Sequence, residues 1–125
     1  MNYKKSFNFL KKLPSKLNLF YEKKSKSVIK VNNKSKSKKD FDPVTNFDKA
    51  FEKYIRTLIN KNFPNDSIIG EEFQDKPSSN NLKWSIDPID GTRAFVIGAP
   101  TWSNLISLSY HNKSILGLAN FPELN

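Results

Sequence analysis

The sequence predicts an α+β fold, N-terminal helices packed on a largely antiparallel sheet, and three observations predict it. Residues 3–26 and 47–59 carry apolar side chains at three- and four-residue spacing, the period of a helix with one buried face. Four short apolar runs, at 67–69, 82–86, 104–110 and 115–119, are bounded by Pro, Asn, Asp or Gly, as strands between turns are. The helical stretches come first and the sheet after.

In the first helical stretch Phe7, Leu10, Leu13, Leu17, Phe20 and Tyr21 form the stripe, with Lys on the other positions. Pro14 is expected to kink this helix or divide it in two, because it donates no N–H and clashes with the preceding turn. A packing helix with a solvated Lys face accounts for the pattern better than a membrane-surface helix. Residues 30–40 have no apolar period and a run of like charge, so a mobile basic loop is expected there. Its Lys36, Lys38 and Lys39 precede the next motif, from where they could swing toward an anionic substrate or a metal-bound phosphate, but solvated charge is the better account of them.

Phe47, Ala50, Phe51, Tyr54, Ile55, Leu58 and Ile59 mark the clearest helix, which ends near Asn62. Thr45 and Asp48 form a capping box at its start, each satisfying a backbone N–H left free by the first turn. Ser67-Ile68-Ile69 reads as a buried strand that delivers Gly70-Glu71-Glu72, whose adjacent acids are expected on opposite faces of the strand, one toward the Asp87/Asp90 volume and the other in solvent. Residues 75–81 are a polar excursion before the strand that includes Trp84 to Ile86. Pro88 is expected to stop that strand's ladder, and Gly91 to allow a tight change of direction. The last two runs, joined by His111-Asn112-Lys113, read as an antiparallel hairpin with His111 exposed.

At 125 residues the chain accommodates one domain with a real core. It has no cysteine, which excludes disulfides and thiolate metal sites and is compatible with a reducing compartment. The formal charge of +9 is uneven: residues 1–39 hold thirteen Lys and a single acid, Glu22, for +12, while residues 40–125 carry −3. Of the 21 cations 19 are Lys and two are Arg, beside fifteen Asn, so the bias fits an AT-rich coding sequence. Nucleic-acid readers lean instead on Arg with interleaved aromatics, and nucleic acid is not expected as a partner on composition alone. The competing reading is a basic binding module in which residues 1–39 contact RNA or anionic lipid. The sequence has no run of about 18 apolar residues and no apolar N-terminal core followed by small residues, so no membrane partner and a cytoplasmic location are expected.

Chemistry concentrates in residues 84–95, Trp84-Ser85-Ile86-Asp87-Pro88-Ile89-Asp90-Gly91-Thr92-Arg93-Ala94-Phe95. Asp87 and Asp90 stand three apart across a turn, a spacing that lets both carboxylates, with a backbone carbonyl between them, face one small volume. Two crowded anions need a counter-charge, and oxygen-only ligands suit a hard cation such as Mg2+. Residues 91–94 read as a loop entering a helix, where free N–H groups favour a phosphate. Alone, such a D-x-x-D is more often a solvated turn; Glu71 or Glu72, brought by the preceding strand, changes the balance.

Asp42-Pro43-Val44-Thr45-x-x-Asp48, Gly70-Glu71-Glu72 and Trp84-x-x-Asp87-Pro88-Ile89-Asp90-Gly91-Thr92, in this order and spacing, resemble the inositol monophosphatase superfamily of Mg2+-dependent phosphomonoesterases. The resemblance runs from about residue 5 to 125, and Gly91-Thr92-Arg93-Ala94-Phe95 with Gly98-x-Pro100-x-Trp102 is similar to its bacterial histidinol-phosphatase-like branch. It implies the first half of a layered α/β sandwich, with Glu71, Asp87, the Ile89 carbonyl and Asp90 as ligands to two or three Mg2+ ions, for which Mn2+ can substitute. Gly91 and Thr92 would hold the phosphate, and the catalytic residues would be Asp48, Thr92 and Glu71, with Asp48 and Thr92 orienting a metal-activated water. The implied substrate is a small phosphorylated metabolite, histidinol phosphate of histidine biosynthesis first, with inositol 1-phosphate or a nucleotide 3′-phosphate as alternatives. A homodimer is an assembly the resemblance allows for the full-length enzyme. Family members run to roughly twice this length as one domain, and their second half brings a Trp-Asp motif whose Asp completes the metal site. Residues 1–125 are therefore expected to be the N-terminal portion of such a domain with the C-terminal half absent, poorly active and prone to aggregate alone.

Overall fold

The computed structural model describes residues 2–26, 29, 31–34, 43–78 and 80–124. Its elements are α1 (Lys4–Lys24), β1 (Val31–Asn33), β2 (Pro43–Thr45), α2 (Asn46–Asn62), β3 (Ser67–Ile69), β4 (Leu82–Asp90), α3 (Thr92–Val96), β5 (Ser103–Tyr110) and β6 (Lys113–Asn120). A four-stranded sheet runs β3-β4-β5-β6, with β3 parallel to β4 and the other pairs antiparallel. The fold class is the expected one, helices on a largely antiparallel sheet, with one parallel pair that periodicity alone does not disclose.

α1 is one helix of 21 residues, and Pro14 lies inside it rather than dividing it. An interior proline costs roughly 3 kcal/mol, whereas burying Leu10, Leu13 and Leu17, all 5% exposed or less, returns roughly 1.5–3 kcal/mol each. Packing wins over the local preference. The buried stripe is Ser6, Leu10, Leu13 and Leu17, so Phe7, expected within it, stands 53% exposed.

α2 follows the capping box. The Thr45 hydroxyl accepts from the N–H groups of Phe47 (3.1 Å) and Asp48 (3.3 Å), and Asp48 Oδ2 accepts from the Thr45 N–H at 2.7 Å and its hydroxyl at 2.6 Å. Phe47, Phe51, Ile55 and Ile59 then recur every four residues on the buried face.

Alternation on the sheet separates its two sides. Trp84 and Ile86 of β4 lie opposite Leu108 and Ile106 of β5 and are buried with Ile68 in the core formed with α1 and α2. The other side carries Ser85, Asp87, Leu105, Ser107, Gly117 and Ala119, which line an open depression of about 690 Å³.

β4 does not stop at Pro88. Its pairing with β5 passes from Asp87↔Leu105 to Asp90↔Ser103, one residue more on β4 than on β5. The proline thus sits at a bulge, where a missing N–H costs no ladder bond, and its carbonyl accepts from Asn104 Nδ2 at 2.7 Å.

The expected mobile loop at 30–40 begins instead with a strand. Val31–Asn33 pairs antiparallel with Pro43–Thr45, which puts its backbone groups in a ladder despite the polar, charged sequence. Lys30 and residues 35–42, with Lys36, Lys38, Lys39 and Asp42, lie outside the described residues. The polar excursion returns to β3, where Lys76 and Ile68 exchange backbone bonds of 2.8 and 3.0 Å. The final hairpin turns at His111 and Asn112, both with positive φ (47° and 64°), and His111 is exposed. Among the described residues no helix is long and apolar enough to cross a membrane.

Candidate active site

Local devices shape the corner at the end of β4. The capping box fixes Asp48 in the first turn of α2, at 1% exposure, and uses its Oδ2. Asp48 Oδ1 is left to accept from the Thr92 hydroxyl at 3.1 Å, and that hydroxyl lies equally 3.1 Å from the Ile89 carbonyl. A single proton serves both directions, so Thr92 joins α2 to the β4 corner. Gly91, at φ +84°, makes the left-handed step into α3 that a side-chain-bearing residue adopts only under strain.

Asp87 projects from the open side of β4. Its Oδ1 is buried and has no hydrogen-bond partner. Its pKa is pushed up to about 6, first by desolvation and then by the charges of Glu71, Asp90 and Asp48, with Lys34 opposing. Glu71 is likewise raised, by desolvation first, against the pull of Lys34 and with Glu72, Asp48 and Glu52 adding to the rise. The acids from α2, the turn after β3 and the end of β4 therefore share one electrostatic neighbourhood.

They do not stand as a closed ligand cluster: among the described residues no three His, Asp or Glu side chains are grouped as a metal centre. Like charges repel, and Glu71 leans toward Lys34, 3.9 Å from its Nζ. The donor chemistry nevertheless suits a hard divalent ion, since Asp87 Oδ1 is a desolvated anionic oxygen lacking any donor.

Glu71 and Glu72 are not on a strand, because β3 ends at Ile69. They lie on a turn that a residue unrecognised in the sequence organises. Glu52, fully buried in α2, accepts from the backbone N–H groups of Glu71 (2.7 Å), Glu72 (2.9 Å) and Phe73 (3.0 Å), and from Arg56 Nε at 2.9 Å. A Cβ on Gly70 would stand 2.4 Å from the Glu52 carboxyl carbon, so any side chain there would push Glu52 off these bonds. The available signal was an acid one position past Phe51, on the buried edge of the α2 stripe and four residues before an Arg. Lys34, also unrecognised, bonds Glu72 Oε1 at 2.6 Å and holds that side chain beside Glu71.

A model of the inositol monophosphatase family matches residues 8–125. The chain is similar to a histidinol-phosphatase of Chlorobaculum parvum, 47% identical over 88 residues that make up 70% of this chain and 34% of that protein. It is also similar to a Nus factor SuhB of Haemophilus influenzae, 40% identical over 87 residues, 67% of this chain and 32% of that one. Among solved structures, an IMPase of Thermotoga maritima superposes with a TM-score of 0.79 at 32% identity, over 96% of this chain and 44% of the other. An IMPase/NADP phosphatase solved with Mg2+ and phosphate superposes at 0.72 and 22% identity, over 89% and 41%. The chain thus spans about a third of the length of these curated relatives. With the motifs, the fold and the acidic corner in agreement with that match, the chain belongs to the inositol monophosphatase family.

Proposed function

We propose that the chain forms the N-terminal portion of a cytoplasmic phosphomonoesterase whose substrate is a small phosphorylated alcohol, histidinol phosphate first. The observation that carries this reading is the orphaned, buried Asp87 Oδ1 among the acids that raise its pKa, a site short of positive charge. Asp87, Asp90, Glu71 and the Ile89 carbonyl would hold Mg2+. When bound, the ion supplies charge neutralisation for a phosphate dianion and Lewis-acid activation of a nucleophile.

The chain's own residues have narrower tasks. Thr92 Oγ1 is placed to take a proton from an attacking water as it passes its own to Asp48 Oδ1, 3.1 Å away. Asp48 is held for that role by the two bonds at its other oxygen. The N–H groups of Gly91 and Thr92 would orient the phosphate. Lys34, by pairing with Glu72, keeps a second acid from entering the ligand set. The similarity to a histidinol-phosphatase favours that substrate over inositol 1-phosphate or a nucleotide 3′-phosphate.

Two experiments test the reading. Calorimetric titration of the chain with Mg2+ and Mn2+ should give weak binding that Asp90→Asn removes; no heat with either ion would reject the metal assignment. For the substrate, the chain is extended with the remaining part of the Chlorobaculum parvum relative and phosphate release is followed. Release from histidinol phosphate well above that from the other two esters is expected, and release from none of the three would reject the function. The 125-residue chain by itself should turn over little.

A further inference from the structure

A second site of opposite charge lies between α1 and the end of α2, and it shares no residue with the acidic corner. It is a groove of about 310 Å³ walled by Lys5, Lys12 and Lys16, with Asn8 beside them and Phe9 and Phe63 at its floor. No acidic residue lines it. Lys5 Nζ donates to the Asn62 carbonyl at 2.8 Å and sits 4.9 Å from the centre of the Phe63 ring, which ties the wall to the floor. No salt bridge among the described residues engages Lys12 or Lys16.

The lysines form a row. At about 100° per residue, Lys5, Lys12, Lys16 and Lys23 fall within about 20° of one line along α1, a row of about 27 Å at ~1.5 Å per residue. A row, rather than a point, of positive charge suits a ligand with several phosphates in line, and partly exposed rings beneath it suit a base. A membrane surface suits it poorly. The apolar stripe of α1 is spent on the core, and its exposed apolar residues, Phe7 and Leu19, point about 120° apart around the helix.

We propose that this groove binds single-stranded nucleic acid, Lys5 leaving the Phe63 ring it now covers to follow the backbone with the rest of the lysine row while a base rests against Phe9 and Phe63. The proposal stands apart from the phosphatase reading. The composition of the N-terminus argues against nucleic acid because Lys greatly outnumbers Arg, but composition is blind to alignment along one helical line.

The test is fluorescence anisotropy of the 125-residue chain with a labelled oligouridine of about 12 nucleotides. Binding should weaken with salt at a log–log slope of about −2, the value for three neutralised phosphates on a single strand. Lys5→Gln/Lys12→Gln/Lys16→Gln should weaken it roughly tenfold at moderate salt and flatten that slope. The control Lys11→Gln/Lys53→Gln/Lys113→Gln, equal in charge and elsewhere on the surface, should change it less than about twofold. Phe63→Leu should weaken the oligonucleotide and leave inorganic polyphosphate unaffected; if that variant does not fold, the exposed lysine triple still decides. Equal losses in both triples would overturn the proposal, as would polyphosphate competing as well as RNA of matched charge, or binding to anionic vesicles without binding to the oligonucleotide.

Discussion

Two carboxylates, Glu52 and Asp87, are both desolvated, and the structure treats them in opposite ways. Glu52 is surrounded by three backbone N–H groups and a guanidinium, so its charge is answered on every side. Asp87 has one oxygen with no donor at all and a pKa lifted to about 6 by burial and by its acidic neighbours. The first pattern is that of a group that builds a turn; the second leaves an anionic oxygen unanswered. Burial alone does not separate the two; the count of donors does.

The comparison can be broken most severely at Glu52. Glu52→Ala removes a buried partner, leaving three N–H groups and Arg56 unanswered, and should cost about 3–5 kcal/mol, read as a fall in the thermal midpoint. A variant as stable as the parent would show that the turn holds itself. Gly70→Ala approaches the same contact from the other side, and the overlap with the Glu52 carboxyl should cost about 2 kcal/mol.

Asp87→Asn should move the other way. A carboxyl whose folded pKa, about 6, lies above its ordinary value prefers to be protonated in the fold. Its unfavourable contribution is absent below the ordinary value, grows through the interval between the two, and is complete above the folded one. In chelator-treated protein the asparagine variant should therefore gain stability above pH 6, by about 1 kcal/mol once solvent screening of this half-buried group is allowed for. The gain should vanish near pH 4. With Mg2+ added the order should reverse if Asp87 is a ligand as proposed, because the parent alone keeps that carboxylate for the ion. A gain independent of pH would sever the link between Asp87 and its neighbours.

Much of this was legible in the residues. The four-residue recurrence of Phe47, Phe51, Ile55 and Ile59 and the Thr45/Asp48 box announce α2, because helix period and capping are local effects. Asp87, Ile89, Asp90 and Thr92 were legible as a group because one short stretch carries them all. Pro14 and Pro88 misled for a shared reason: each breaks a local rule that long-range packing or a bulge overrides. Glu52 and Lys34 stayed hidden because their partners lie some twenty and thirty-eight residues away, a distance at which spacing says nothing. The lysine row was visible as charge and invisible as a groove, since part of its floor comes from Phe63, just past the end of α2.

A line of amides crosses the molecule from the basic helix to the acidic corner. Asn120 Nδ2 on β6 reaches Asn18 Oδ1 on α1 (2.9 Å) and Asn104 Oδ1 on β5 (3.1 Å), and Asn104 in turn grips the Pro88 carbonyl beside Asp87. α1 gives no group to the corner, yet it helps to clamp the peptide on which the corner is hung. Trimming the N-terminus would therefore mimic damage to the chemistry by removing this brace together with the core leucines of α1, and point substitutions are the cleaner probe of what the lysines do.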